Sequence, residues 1–182
     1  SNLNEDDNNF GISLSVFNNT LAISCINGDM DFLNQGLVDI FILNTDSTWV
    51  YTQTIQSNNP NNYDYFGISV DIYENLLGVG SYFDDQMNNN SGAVYFYEKI
   101  NNSWLYVGEI FSNDAFANDN FGLSLSIYDD WVSVGTIDDD NGINSGSAYI
   151  YKKEENTFIQ KAKITPSDGN EYDEFSNSIY MY

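Results

Sequence analysis

The chain repeats itself. The segments "NNFGISLSVF", "DYFGISVDIY" and "DNFGLSLSIY" recur in register, and "DEFSNSIYMY" opens the same pattern a fourth time. Their aromatic anchors, Phe10, Phe66, Phe121 and Phe175, are separated by 56, 55 and 54 residues. A period of that length makes each unit one supersecondary element that buries its apolar face against a neighbour rather than folding alone. The units fall at about 6–61, 62–116 and 117–169, and a fourth begins at 170–182.

Inside each unit the apolar residues alternate with period two, the pattern of a half-buried strand, and no window holds a helical period. Four short strands are predicted per unit. The second unit reads Ile68, Val70 and Ile72, then "LLGVG", "AVYFYE" and "SWLYVGEI". The third supplies "LSLSIY", "WVSVGTI", "SAYIYK" and "TFIQKAKI", and the first "ISLSVF", "LAISCI", "LVDIFIL" and "TWVYTQTI". Four-stranded units in tandem fit the blades of an all-β propeller, whereas β-helix coils have much shorter periods and a sandwich need not repeat its side chains in register. Successive antiparallel strands send alternate connections to opposite ends. The long acidic or Asn-rich loops between second and third strands, "NGDMDFLNQG", "FDDQMNNNSG" and "DDDNGINSG", are therefore expected on one face with the inter-unit loops, and tight turns such as "FNNT" and "KINNS" on the other.

The D-x-F-G start, the "VG" or "IS" second strand and the N-S-G-x-A-Y-x-Y third strand resemble FG-GAP repeats, the units of the integrin alpha-subunit propeller and of related surface proteins. The third unit, "NDNFGLSLSIYDDWVSVGTIDDDNGINSGSAYIY", is the fullest match. The resemblance implies a propeller, an extracellular or cell-surface location, and binding or adhesion in place of catalysis. It also implies that Phe10, Phe66 and Phe121 pack beneath the inter-unit loops, with the glycine after each permitting close backbone approach.

One departure from the family matters. Integrin-like repeats carry a calcium loop between first and second strands, and here that connection shrinks to "FNNT", "YEN" and "YDD". Calcium takes six to eight oxygens, and a loop turning at Gly can aim alternate side chains at one ion. The candidate ligands are therefore Asn27, Asp29 and Asp31 in the first unit and Asp138, Asp140 and Asn144 in the third. A solvated acidic loop is the plainer alternative, because "DDQMNNN" in the second unit keeps the charge and loses the spacing.

Composition narrows the functions. Against 27 acidic residues stand 5 basic ones, giving a formal net charge of −22. The basic residues are all lysines, Lys99, Lys152, Lys153, Lys161 and Lys163, too few to neutralise a phosphate backbone or an anionic lipid surface. Nucleic acid is not an expected partner, and no run approaches the roughly 18 apolar residues of a membrane span. The chain has no His, which removes imidazole-dependent hydrolases and the commonest zinc sets. The lone Cys25 reads as a small buried hydrophobe. Asp64, Asp119 and Asp173 precede the repeated Phe, and a position that recurs this way suits a turn hydrogen bond better than an acid–base pair.

Asn-x-Ser/Thr acceptors stand at Asn18, Asn89 and Asn101, with Asn89 expected on the face opposite the other two. The function expected from all this is a non-catalytic extracellular propeller for adhesion, recognition or assembly of a surface or filament protein, with a protein or glycan ligand. Alternatives are a lectin-like propeller, in which Trp49, Trp104, Tyr82 or Phe83 stack on sugars, and an accessory propeller of a secreted hydrolase. Core packing is the cheaper explanation of the tryptophans. Three units and part of a fourth do not close a propeller of four to eight blades, so either the segment belongs to a longer chain whose next repeats close the ring or copies associate head to tail through the open strand edges.

Overall fold

The computed structural model describes residues 8–137, 144–155 and 157–182. Among the described residues twelve strands form three four-stranded antiparallel meanders. Blade 1 contains β1 (Phe10–Phe17), β2 (Thr20–Cys25), β3 (Leu37–Leu43) and β4 (Trp49–Ile55). Blade 2 contains β5 (Val70–Tyr73), β6 (Leu76–Ser81), β7 (Ala93–Ile100) and β8 (Ser103–Ile110), and blade 3 contains β9 (Ser124–Tyr128), β10 (Trp131–Thr136), β11 (Ser147–Glu154) and β12 (Thr157–Ile164). No helix among the described residues is long and apolar enough to cross a membrane. Each blade carries a bulge at the same place between its third and fourth strands, at Ile40/Phe41, Phe96/Tyr97 and Ile150/Tyr151. A bulge sharpens the local twist, so the three sheets share one shape and stack face to face.

Alternation along the strands divides the apolar side chains between two cores, and each core lies between blades. Ala22, Val38, Ile40 and Ile55 of blade 1 pack on Phe66, Val70, Ile72, Leu77, Val79, Tyr95, Tyr97 and Trp104. Val94, Phe96 and Ile110 of blade 2 pack on Phe121, Leu125, Ile127, Val134, Tyr149 and Tyr151. The aromatic anchor repeats: Phe66 meets Tyr95 edge-on at 5.7 Å and Phe121 meets Tyr149 at 5.5 Å.

First strands line up along the inner side of the stack, tied by side-chain oxygens that reach the next blade's backbone. Ile72 N–H donates to Ser15 Oγ (3.1 Å), Ile127 N–H to Asp71 Oδ2 (2.6 Å) and Met181 N–H to Ser126 Oγ (3.1 Å). Through that last bond the segment 175–182 follows β9, yet it forms no ladder, unlike the expected opening strand. A blade's first strand is held mainly by its second, and residues 175–182 have none beside them.

The joints themselves are backbone contacts. Gly36, Gly92 and Gly146 end the second-to-third-strand loops at φ +84°, +82° and +81°. A Cβ on Gly92 would lie 2.1 Å from Phe121 O and 2.5 Å from Phe121 N. Gly92→Ala should therefore cost about 3 kcal/mol or more, from clash and φ strain together. Gly11→Ala, at φ +88° with nothing within 4 Å of the new Cβ, should cost only the strain of about 1 kcal/mol. Urea melts of both variants at low protein concentration check this, and equal losses would refute a clash at the joint.

Candidate functional site at the blade junctions

Every junction uses the same short grip. The loop residues before the glycine present carbonyls to the aromatic anchor of the next unit: Phe66 N–H donates to Gln35 O, Phe121 N–H to Ser91 O and Phe175 N–H to Ser145 O, each at 2.9 Å. One residue earlier, Tyr65, Asn120 and Glu174 donate to the carbonyls of Asn34, Asn90 and Asn144 at 3.3, 3.2 and 3.1 Å. Asn34, Asn90 and Asn144 all have φ between +51° and +54°, a left-handed conformation that Asn tolerates. The loops and the following unit are thus paired like short strands, and Gly92 and Phe121 form a parallel bridge.

Within the loops the carboxylates hold backbone. Asp29 Oδ1 accepts the Asn34 N–H, and Asp85 Oδ1 accepts the Asn90 N–H at 2.6 Å, so these two acids fix the left-handed Asn of their own loops. The buried Gln35 accepts from Asp31 N–H (3.0 Å) and Phe32 N–H (2.9 Å) and donates to Gln56 Oε1 (3.0 Å). Asn27 N–H meets Asn8 O at 3.2 Å. Of the calcium candidates, Asn27, Asp29 and Asp31 therefore stand in a loop closed by its own hydrogen bonds, with Asp31 exposed. Asn144 serves the third junction, and Asp138 and Asp140 lie outside the described residues. Among the described residues no three or more acidic or cysteine side chains stand together as a metal site needs.

The Asp before each anchor closes a turn, as its repetition suggested. Asp64, Asp119 and Asp173 accept N–H bonds from Asn61, Phe116 and Asn170 at 2.7, 2.6 and 2.8 Å. The two complete junctions differ in charge, however. Lys163, opposite Tyr149 in the β11–β12 pair, bonds Asp114 at 2.7 Å, and Tyr149 adds a bond at 2.8 Å. Despite the cost of burial, the bonds from Lys163, Ser112 and Tyr149 hold Asp114 down at about 2. The corresponding position opposite Tyr95 is Glu109. There Asp84 is buried beside the Tyr95 hydroxyl, and Asp64 is buried with no hydrogen-bond partner on Oδ1. Burial first, then Asp84 and Asp85, pushes Asp64 up to about 7. Burial likewise raises Asp84 and Glu109.

The FG-GAP repeat model matches residues 49–97 and 104–151, more than half of the chain. The chain belongs to the FG-GAP repeat family. Each matched stretch runs from a fourth strand, through the grip, into the third strand of the next blade, so the FG-GAP unit is centred on a junction. No curated protein sequence matches the chain.

In this FG-GAP framework the remaining candidates sort by location. Asn18 and Asn101 lie exposed in the tight turns β1–β2 and β7–β8, and Asn89 lies exposed in the β6–β7 loop, on the two faces anticipated. Trp104 is buried in the first core, where its backbone N–H donates to Gln53 Oε1 and its backbone carbonyl accepts from Gln53 Nε2, both at 2.9 Å. Tyr82 stacks on Phe83 at 4.0 Å, which occupies one face of each ring. Cys25 is buried, and burial with Asp39 and Asp29 pushes its thiol up to about 11.

One expectation fails. Phe10 packs beneath no loop and is 53% exposed, against 0% for Phe66 and Phe121, because the described residues place no blade before it. The same face of blade 1 exposes Leu14, Val16 and Trp49, the counterparts of the buried Val70, Ile72 and Trp104. The repeats already contained this signal: the first unit keeps apolar residues at the positions of Phe66, Val70, Ile72 and Trp104, although Asp39 stands where Tyr95 and Tyr149 meet their anchors.

Two measurements probe the junctions. Because Asp64 rises from 3.8 to about 7 on folding, the folded state holds its proton more tightly than the unfolded one. Its contribution is full below pH 4 and is lost as pH rises through 7, on the order of 2 kcal/mol after solvent screening. Thermal melts from pH 4 to 8 should fall steadily and flatten in Asp64→Asn; an unchanged slope in the variant would count against a protonated Asp64. Asp29→Ala should lose about 1 kcal/mol in the presence of a chelator, as a backbone acceptor does. A loss appearing only with added calcium would make the carboxylate a cation ligand instead.

Proposed function

We propose that the protein is a non-catalytic extracellular propeller segment that works in adhesion, recognition or structural assembly, and that the outward face of blade 1 is its assembly surface. The observation that carries this reading is the contrast across repeats. Phe10, Leu14, Val16 and Trp49 are 53, 60, 55 and 40% exposed, whereas Phe66, Val70, Ile72 and Trp104 at the same register are 0, 6, 4 and 3% exposed. Burying side chains of this size is worth about 2 kcal/mol each, so a covering blade gains several kcal/mol from this face alone. Large exposed apolar faces on soluble chains mark interaction sites. The covering element is another blade of the same kind, since the face repeats the pattern that blades 2 and 3 use to dock. The extracellular location rests on the family and on the three exposed sequons. The acidic loop face, at a net charge of −22, suits a basic partner over a nucleic acid or anionic surface.

The test compares matched substitutions. Leu14→Asp with Val16→Asp should leave the melting temperature of the dilute chain within about 2 °C of wild type and abolish association at high concentration. Val70→Asp with Ile72→Asp should unfold blade 2, at a cost above about 3 kcal/mol. Equal damage from the two pairs would mean that the blade 1 face is already covered in the chain by itself, and an association that survives Leu14→Asp with Val16→Asp would remove the assembly reading.

A further inference from the structure

On the face of tight turns, the two complete junctions hold cavities of different chemistry. Between blades 2 and 3 the cavity measures about 250 Å³, and Lys153 in its wall is bonded at 2.5 Å to Glu98 of the preceding blade, beside Val107 and Phe158. Between blades 1 and 2 it measures about 320 Å³, with Lys99 in the place of Lys153. The repeats explain the difference. Counting from the bulges at Ile40/Phe41 and Phe96/Tyr97, Ile42 stands in blade 1 where Glu98 stands in blade 2. Lys99 therefore holds the position of Lys153 with no acid to meet it. Its half-buried ammonium donates to the neutral Thr20 Oγ1 at 3.2 Å. Among the described residues it is the lysine with neither a carboxylate nor an aromatic ring against it. An ammonium has three donors, so two remain for a ligand.

We propose that this cavity binds the carboxylate-bearing ring of an acidic sugar such as a uronic acid. The carboxylate meets Lys99 and supplies the charge that Glu98 supplies to Lys153. Asn19, Asn44 and Asn102 also line the cavity, and their side-chain amides have no hydrogen-bond partner among the described residues. An amide both donates and accepts, as a sugar hydroxyl does, so the two match in either direction. Thr52 spends its hydroxyl proton on Ile40 O at 3.2 Å and keeps its lone pairs for a donor. Ile42 and Val50 give the apolar wall against which a sugar ring lays its C–H face. A plain carboxylate would leave the amides unmatched, and a neutral sugar would leave the ammonium unmatched. One lysine in a chain of net charge −22 suits a single negative charge over a phosphate dianion. The volume lies at the small end of ligand cavities, which suits one sugar residue. Both walls belong to blades already packed on each other, so the site is independent of whatever covers blade 1.

Titration of glucuronate into the full chain, followed by amide chemical shifts, tests the proposal. The chain is produced without N-linked glycan, because Asn19 and Asn102 are the middle residues of the Asn18 and Asn101 sequons and a glycan there would crowd the cavity. Saturable shifts centred on Asn19, Asn44, Lys99 and Asn102 are expected, with a Kd on the order of 1 mM. Glucose and acetate each carry half of the chemistry and should bind about tenfold more weakly. Lys99→Gln, which keeps the stem and removes the charge, should weaken glucuronate about tenfold or more, and Asn102→Ala about threefold. Lys153→Gln, at the junction that has its own acid, should leave binding unchanged. Ile42→Glu gives blade 1 the acid that blade 2 has, so Lys99 is met from within and glucuronate binding should be lost. Acetate binding as tightly as glucuronate would overturn the sugar and leave a carboxylate site, and glucose binding as tightly would overturn the role of the charge. Binding that ignores Lys99→Gln, or no saturable shift with the unaltered chain, would overturn the site itself.

Discussion

The fold depends on one backbone contact, made three times: an Asn-x-Gly loop end that offers two carbonyls and no side chain to the aromatic anchor of the next unit. Gly36, Gly92 and Gly146 lie so close to Phe66, Phe121 and Phe175 that any Cβ there would overlap main-chain atoms. Close approach of this kind turns two separate sheets into a pair with a fixed offset. The apolar faces then meet in one register only, because a strand slipped by one residue turns its whole apolar set to the wrong side. Acidic side chains serve the grip rather than compete with it. Asp29 and Asp85 hold the left-handed Asn from inside the loop, and Asp64, Asp119 and Asp173 close the turn that delivers the anchor.

Much of this was legible in the sequence, for a physical reason. Tandem repetition multiplies a weak local signal, so a period-two pattern that would be ambiguous once becomes decisive when Val70 and Ile72 answer Leu14 and Val16 at a spacing of 56. The all-β class, the four strands per unit and the two loop faces followed directly. Repetition also misled. Phe10 and Phe66 look alike in sequence, as do Trp49 and Trp104, yet one of each pair is open to solvent, since burial at a junction depends on the neighbour and not on the residue. The loop acids show a different limit. Alternation around a glycine suggested an ion at Asn27, Asp29 and Asp31, whereas the Asp29 carboxylate spends an oxygen on a backbone N–H five residues on, a partner that spacing cannot reveal. Gln35 was missed altogether, although a buried amide with both ends bonded organises that loop.

The relation between blade and repeat also becomes clearer. The matched family unit spans a fourth strand and the three strands after it, so it straddles two sheets. That phase places the most constrained residues, the anchor and its glycine, in the middle of the unit. The outer strands are freer. β4 and β8 meet chiefly through Gln53 and the backbone of Trp104, and β12 carries lysines that bond to Asp114 and Glu154.

The unequal charge of the two complete junctions makes them respond unequally to pH. Between blades 2 and 3 Lys163 pairs with Asp114, whereas the joint between blades 1 and 2 encloses Asp64, Asp84 and Glu109, each held above its usual range chiefly by burial. Rising alkalinity strips the proton from a buried carboxyl at that joint, so the contact between blades 1 and 2 loosens as pH climbs through the Asp64 titration. Proton release is thereby coupled to the one joint that borders the exposed face of blade 1.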